Sequence, residues 1–233
     1  MRNGFQILLL IAASCCTGCG TSPPAHVETL RDLERDTPLE SIEYRHRPTT
    51  VVIPDEPGER GVARADCSGL LNEVLKHTET LDDAALSAWF GRARPVARSY
   101  AEAIRDERGF QRIMRLHDVT IGDFIAISYE EAANNTGHVM VIDAKPGRLR
   151  STGVDGAAYE WRCEVIDSSA TGHGEGDSRF QNGKRIRAGL GRGFFRIFTD
   201  AHGVPVAHAF TVSANAKVRS VNDRPLYIGR IAR

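Results

Sequence analysis

Two short segments carry side chains able to do covalent chemistry. The first is Arg64-Ala65-Asp66-Cys67-Ser68-Gly69-Leu70-Leu71. Asp66 suits a helix N-cap, because its carboxylate can accept hydrogen bonds from the unpaired amides of a first turn. Leu70, Leu71, Val74 and Leu75 follow as an apolar stripe at helical spacing. Cys67 is therefore expected in the first turn of a helix, where free N–H groups and the positive end of the dipole favour thiolate over thiol. A thiolate attacks acyl carbons, so the chemistry suggested is acyl transfer. A small buried cysteine that only packs the helix start fits the same position.

A thiolate nucleophile needs a base, and the second segment offers one. Ile121-Gly122-Asp123-Phe124-Ile125-Ala126-Ile127 reads as the opening of a strand, and after a polar loop Gly137-His138-Val139-Met140-Val141-Ile142-Asp143 reads as the next. His138 heads that strand directly after a glycine, which lets another element come close. Alternation puts His138 on the face of Met140 and Ile142, the expected core side. From the rim of that face an imidazole could reach a helix packed on the sheet; a structural histidine is the competing reading. His46, His77, His117, His202 and His208 lack this setting and are read as surface or loop residues.

The elements that must position these two groups follow from composition and pattern. The chain has 233 residues, 41% of them hydrophobic and 26% charged. That is enough for one well-buried domain or at most two small ones. Thirty basic residues balance thirty acidic ones, which argues against a nucleic-acid binder. No apolar run reaches the roughly 18 residues of a membrane span. A short strand is expected over 49–53, and helical spacing over 70–76 and 82–108, interrupted near Gly91 and Pro95. Strand-like runs then dominate at 124–129, 138–144, 159–167, 194–199, 207–212 and 226–231. Helices followed by an antiparallel sheet make the expected class α+β, not the alternation of a nucleotide-binding fold.

Three of the five cysteines, Cys15, Cys16 and Cys19, lie at the amino-terminal end. Arg2, the apolar run from Phe5 to Ala13 (broken by Gln6) and the small residues behind it read as an export signal. Thr17-Gly18-Cys19 resembles a bacterial lipobox, which implies lipidation of Cys19; Cys15 is a rival, and a plain secretory signal is the alternative. Residues 1–19 are thus read as a lipoprotein signal peptide and 20–38, rich in Pro, Glu, Arg and Asp, as a flexible tether. A single domain is expected from 39 to 233. Export places Cys67 and Cys163 in an oxidising compartment, where they could pair. A nucleophilic Cys67 instead requires both to be free, and the expected strand geometry disfavours a bridge.

Asp66-Cys67-Ser68-Gly69-Leu70, Gly122-Asp123 and Gly137-His138-Val139 together resemble the NlpC/P60 superfamily of papain-like cysteine peptidases, in order and in approximate separation. The resemblance spans residues 51–169. It implies Cys67 as nucleophile and His138 as base, on a helix packed against an antiparallel sheet. The family carries a third polar residue, His, Asn, Asp or Gln, on the strand after the histidine strand. Here that strand reads Trp161-Arg162-Cys163-Glu164-Val165-Ile166-Asp167. Asp167 shares a face with Val165 and Cys163 and is the first candidate to orient the imidazole. His173, in the glycine-rich loop that follows, is the second. His173 and Ser68 are also candidate substrate contacts.

The resemblance implies amide cleavage in cell-wall (peptidoglycan) peptide, by a monomeric enzyme without a cofactor, held in the envelope by its lipid. Gly20 after Cys19 implies the outer membrane over the inner. A non-catalytic binding module on the same fold, or an acyltransferase or thioesterase using the same pair, remain open. No Cys/His cluster has zinc spacing, so no metal is expected. Gly174-Glu175-Gly176-Asp177-Ser178-Arg179 lacks EF-hand spacing. Gly189-Leu190-Gly191-Arg192-Gly193 reads as a turn before a strand, because no helix follows to make it a phosphate loop. Arg92, Arg94 and Arg98 read as a solvated helix face, or as sites for an anionic group.

Overall fold

A computed structural model describes residues 22–56, 59–129, 135–150 and 153–232. The fold is α+β. Among the described residues the helices are α1 (Ala25–Asp36), α2 (Cys67–Thr78), α3 (Asp83–Phe90) and α4 (Ala97–Arg105). Three short strands, β1 (Ile42–Glu43), β2 (Thr50–Val52) and β3 (Val62–Arg64), form a small sheet in the order β1-β3-β2. The remaining strands are β4 (Phe110–Ile113), β5 (Phe124–Ser128), β6 (Gly137–Ile142), β7 (Gly147–Arg150), β8 (Tyr159–Ser169), β9 (Phe180–Gln181), β10 (Lys184–Arg185), β11 (Gly189–Thr199), β12 (Pro205–Ala209), β13 (Arg219–Ser220) and β14 (Leu226–Ile231). Apart from the β9–β10 hairpin, these make one antiparallel sheet in the order β13-β12-β11-β8-β6-β5-β14-β4, with β7 also on β8.

Alternation along the strands divides the core in two. Phe124, Ala126, Val139, Val141, Ile166 and Leu190 meet the helices through Leu70, Leu71, Val74, Tyr100 and Ile104. Ile125, Ile127, Met140, Ile142, Cys163, Val165, Phe195 and Ile197 form a second cluster on the other face. The sheet curls around that cluster. The Leu116 amide, just past β4, donates to Gly203 O in the β11–β12 turn at 2.9 Å. Strands far apart in the sheet order are thereby brought together, as closure into a partial barrel requires.

Several expectations are corrected here. Residues 20–38 are not wholly a tether, because α1 occupies most of that stretch and is folded onto the domain. Val27, Leu30 and Leu33 are completely or almost completely buried. Their three-residue spacing makes one apolar stripe inside an otherwise charged segment, and α1 packs it against α2. The folded unit therefore begins ahead of residue 39. Gly189 to Gly193 are not a turn: β11 starts at Gly189 and pairs along its length with β8. β4 and β7 lie in stretches that the pattern left unassigned. His208 is buried, its ring stacked on Phe195 at 5.6 Å. The signal segment, with Cys15, Cys16 and Cys19, lies outside the described residues.

Cys67 and Cys163 are both free and belong to different clusters on opposite faces of the sheet. Burial pushes the Cys163 thiol up to about 12. Mass mapping without reduction is expected to find no peptide linking the two. Brief alkylation of the native protein near neutral pH should label Cys67 and leave Cys163 untouched until the protein is unfolded. A Cys67–Cys163 linked peptide in native protein would contradict the register of β8.

Candidate active site

The amino-terminal end of α2 is built as the sequence suggests. Asp66 Oδ1 accepts from the Gly69 amide at 2.7 Å, closing the N-cap and leaving Cys67 as the first helical residue. A second tie fixes this end to the sheet: the Ser168 hydroxyl on β8 donates to Ala65 O at 2.7 Å. The residue beside Asp167 is thus bonded to the residue two before Cys67. Cys67 itself is 5% exposed.

His138 enters β6 immediately after Gly137, whose φ is 137°. A Cβ at Gly137 would sit 1.9 Å from Ile127 O, so only glycine lets the incoming loop lie this close to β5. The close approach is to the neighbouring strand, not to a helix. By alternation His138 belongs with Met140 and Ile142, and that face is the curled interior rather than the helix side. The imidazole meets Cys67 because both residues stand at a rim, one at the start of a strand and the other at the start of a helix.

Asp167 holds the other side of the ring. His138 Nε2 lies 2.5 Å from Asp167 Oδ2, and Cys67 is close enough to the imidazole to act on it. With Nε2 taken by the carboxylate, Nδ1 is left for the sulfur. Burial pulls the His138 pKa down, but the charge of Cys67, the hydrogen bonds to Asp167 and Cys67, and the charge of Asp167 outweigh it and lift the ring to about 10. The site therefore favours an imidazolium facing the sulfur at neutral pH.

Asp167 is fully buried. Its Oδ2 also accepts from His173 Nε2 at 3.1 Å, and its Oδ1 from Arg179 at 2.8 Å. Burial opposes ionisation, yet the Arg179 guanidinium, the His173 ring and the hydrogen bonds from both histidines hold the carboxyl well below the usual carboxylate range. The two candidates for the third position are thus in contact with each other, and it is Asp167 that reaches His138. The structure does not place His173 on a substrate groove. Its ring is buried, with Nδ1 on Phe210 O at 2.8 Å and Nε2 on Asp167. Ser68 is buried, its hydroxyl donating to Asp66 Oδ1 at 3.2 Å, so it supports the N-cap.

Sequence reasoning missed four residues around this centre. Asp177 and Arg179 lie buried behind Asp167, and the only sequence signal for them was the glycine-rich acidic stretch dismissed as a calcium loop. Tyr44 is half-buried near Cys67, Asp66 and Asp167, and burial followed by those negative charges raises its pKa. Tyr129, under the guanidinium of Arg224 at 4.3 Å, is close enough for the charge of Cys67 to act on it. Neither tyrosine stands in a chemical motif that a single sequence reveals.

His138, Asp167 and His173 bring three potential ligand atoms within 4.8 Å of one another. They make a poor cation site. Both ring nitrogens concerned point at one carboxylate oxygen, and the other oxygen already carries a guanidinium. A metal ion would have to displace those bonds against the charge of Arg179.

No family model and no solved structure matches the chain. "Uncharacterized protein R653" of Acanthamoeba polyphaga mimivirus is 29% identical over 175 residues, covering 71% of this chain and 77% of the viral protein. Its name states no activity, so the chemical reading of the site rests on geometry.

Proposed function

We propose that the chain is a thiol hydrolase that cleaves an amide bond through an acyl-enzyme, on a papain-like fold of NlpC/P60 type. The observation that carries this reading is the Cys67–His138–Asp167 line, with Cys67 close enough to act on the imidazole and a buried carboxylate 2.5 Å from its Nε2. A satisfied core histidine needs no cysteine at a helix start, and a binding module needs no charge relay behind its histidine. In the proposed cycle the Cys67 thiolate attacks the carbonyl carbon and the C–N bond breaks as protonated His138 gives its proton to the leaving amine. Neutral His138 then takes a proton from water, whose oxygen attacks the thioester and releases the acid and the Cys67 thiolate. The amide of Cys67, at a helix position with no intrahelical acceptor, is the proposed donor to the oxyanion.

Cell-wall peptide is the proposed substrate, on the strength of the motif resemblance and the export signal. Attachment at Cys19 to the outer membrane belongs to the same proposal, and the described residues contain no helix long and apolar enough to cross a membrane. Digestion of purified peptidoglycan followed by mass spectrometry of the released fragments tests it. Wild-type protein should release fragments ending at a cleaved amide, and Cys67→Ala should release none. Intact peptidoglycan together with fast Cys67 labelling would move the reading to another acyl substrate. Labelling of Cys67 no faster than a model thiol would remove catalysis altogether.

A further inference from the structure

We propose that Arg179, clamped between Asp177 and Asp167 on a floor of strand glycines, is a positioning residue that fixes the Asp167 carboxylate toward His138. The proposal rests on the Cys–His–Asp reading above and extends it to a unit of the fold that the reading does not use.

Arg179 is completely buried and every nitrogen of its guanidinium is engaged. Nε and NH2 donate to the two oxygens of Asp177, each at 2.8 Å, a bidentate fork. NH1 donates to Asp167 Oδ1 at 2.8 Å and to Gly189 O at 3.0 Å. Asp177 also accepts from the main-chain amides of His173 and Arg179, both at 2.7 Å, so the loop carrying all three residues is tied to a single carboxylate. With Oδ1 pinned by the guanidinium, Oδ2 is left facing the two histidines.

The strand beneath is cut to fit. Gly191 pairs with Asp167 in the β8–β11 register, and Gly193 with Val165. A Cβ on Gly191 would lie 2.8 to 3.0 Å from Nε, Cγ and Cδ of Arg179; one on Gly193 would lie 2.6 Å from Asp177 Oδ2 and 2.9 Å from the His173 ring. Neither glycine has a left-handed backbone, so space rather than conformation calls for them. This accounts for Gly191 and Gly193, whereas Gly189 has a φ of 108° and its Cβ would meet the Glu43 backbone. Burying three charges costs as much as an apolar filling of the same volume would save. Stability alone gives no reason to build this unit, whereas keeping a buried carboxylate ionised next to an imidazole does.

The charged and titratable groups facing this centre fix the direction of the effect. Asp167 faces Arg179 and His173 from the loop, His138 from β6 and Tyr44 from the segment after β1. His138 faces Cys67 from α2 and Asp167 from β8. Without the guanidinium, the buried Asp167 would hold a proton more readily and support the imidazolium less. The thiolate–imidazolium pair would then form only at higher pH.

The test is the pH dependence of Cys67 alkylation, which needs no substrate, in wild type, Arg179→Met, Arg179→Lys and Gly191→Ala. The acid limb should move up by about one pH unit or more in Arg179→Met, the usual effect of removing a charge at contact distance. Arg179→Lys should restore part of the wild-type profile, since the charge returns without the fork. Gly191→Ala keeps every charged residue and displaces the guanidinium, so it should move the limb in the same direction; it also carries the test if Arg179→Met does not fold. Unchanged profiles in Arg179→Met and Gly191→Ala, or in Gly191→Ala alone where Arg179→Met does not fold, with only a lower melting temperature, would make the unit merely structural. A wild-type Cys67 that reacts like a free thiol sinks the hydrolase reading and this inference together.

Discussion

Cys67→Ala is expected to abolish turnover and leave the fold standing. The substitution removes the atom proposed to form the acyl-enzyme, and neither His138 nor Asp167 can replace it. For catalytic groups acting as a unit, loss of the nucleophile costs about a millionfold in kcat. Packing changes little, because alanine fits the first turn of α2, the Asp66 cap is untouched and the lost sulfur lies at the rim of the core. The expected destabilisation is about 1 kcal/mol, the common value for point substitutions. His138→Ala should be nearly as severe in rate. Turnover per folded molecule, with folding checked by circular dichroism and a denaturant melt, decides the matter. Hydrolysis by Cys67→Ala at even a tenth of the wild-type rate would remove Cys67 from the mechanism.

Asp167→Asn is expected to damage both rate and stability. An asparagine has one acceptor and one donor where the carboxylate offers two acceptors. If its oxygen faces the histidines, its NH2 meets the Arg179 guanidinium donor against donor. If it turns the other way, the NH2 faces His138 Nε2 and forces the ring proton onto Nδ1, the wrong tautomer for taking a proton beside the sulfur. The rate should fall about 10²- to 10⁴-fold, the upper figure matching the loss known for an equivalent triad change. The buried pairing with Arg179 adds a stability cost, which should approach the ~3 kcal/mol at the low end for breaking a buried ion pair, since Asp177 still neutralises the guanidinium. The pH sign follows from the depressed carboxyl. Its stabilisation is present above the ordinary carboxylate range and lost as pH falls below it, so the wild type should lose more stability than the variant on acidification. Urea melts at pH 7 and pH 3 with parallel kinetics measure both effects. A variant as stable and as active as the wild type would remove Asp167 from the triad.

The legible part of this molecule is what repeats or caps. Asp66 before a leucine stripe marked α2, and alternation marked β5, β6 and β8 and put Asp167 on the face from which it reaches His138. Other parts were hidden for identifiable reasons. α1 was masked by charge, because three apolar residues at three-residue spacing are a small minority of its length. Gly191 and Gly193 of β11 read as part of a turn because their use is to leave room for Arg179, Asp177 and His173, residues of a separate loop. Alternation named the face of His138 correctly but could not say that α2 packs on the opposite one, since the sheet curls and the two residues meet around its rim. His173, among glycines, read as a candidate substrate contact, yet Asp177, Asp167 and Phe210 O hold it inside.

The burial of α1 has a mechanical consequence for the proposed lipid anchor. With Cys19 as the proposed lipid attachment and α1 folded onto the domain from Ala25, only five residues separate the attachment from the first helix. Fully extended, that chain spans about 20 Å from Cα to Cα. A domain so tethered could pivot on the bilayer but not travel away from it. Its working zone would be a thin shell along the membrane, and a substrate strand would have to pass within that shell to be cut.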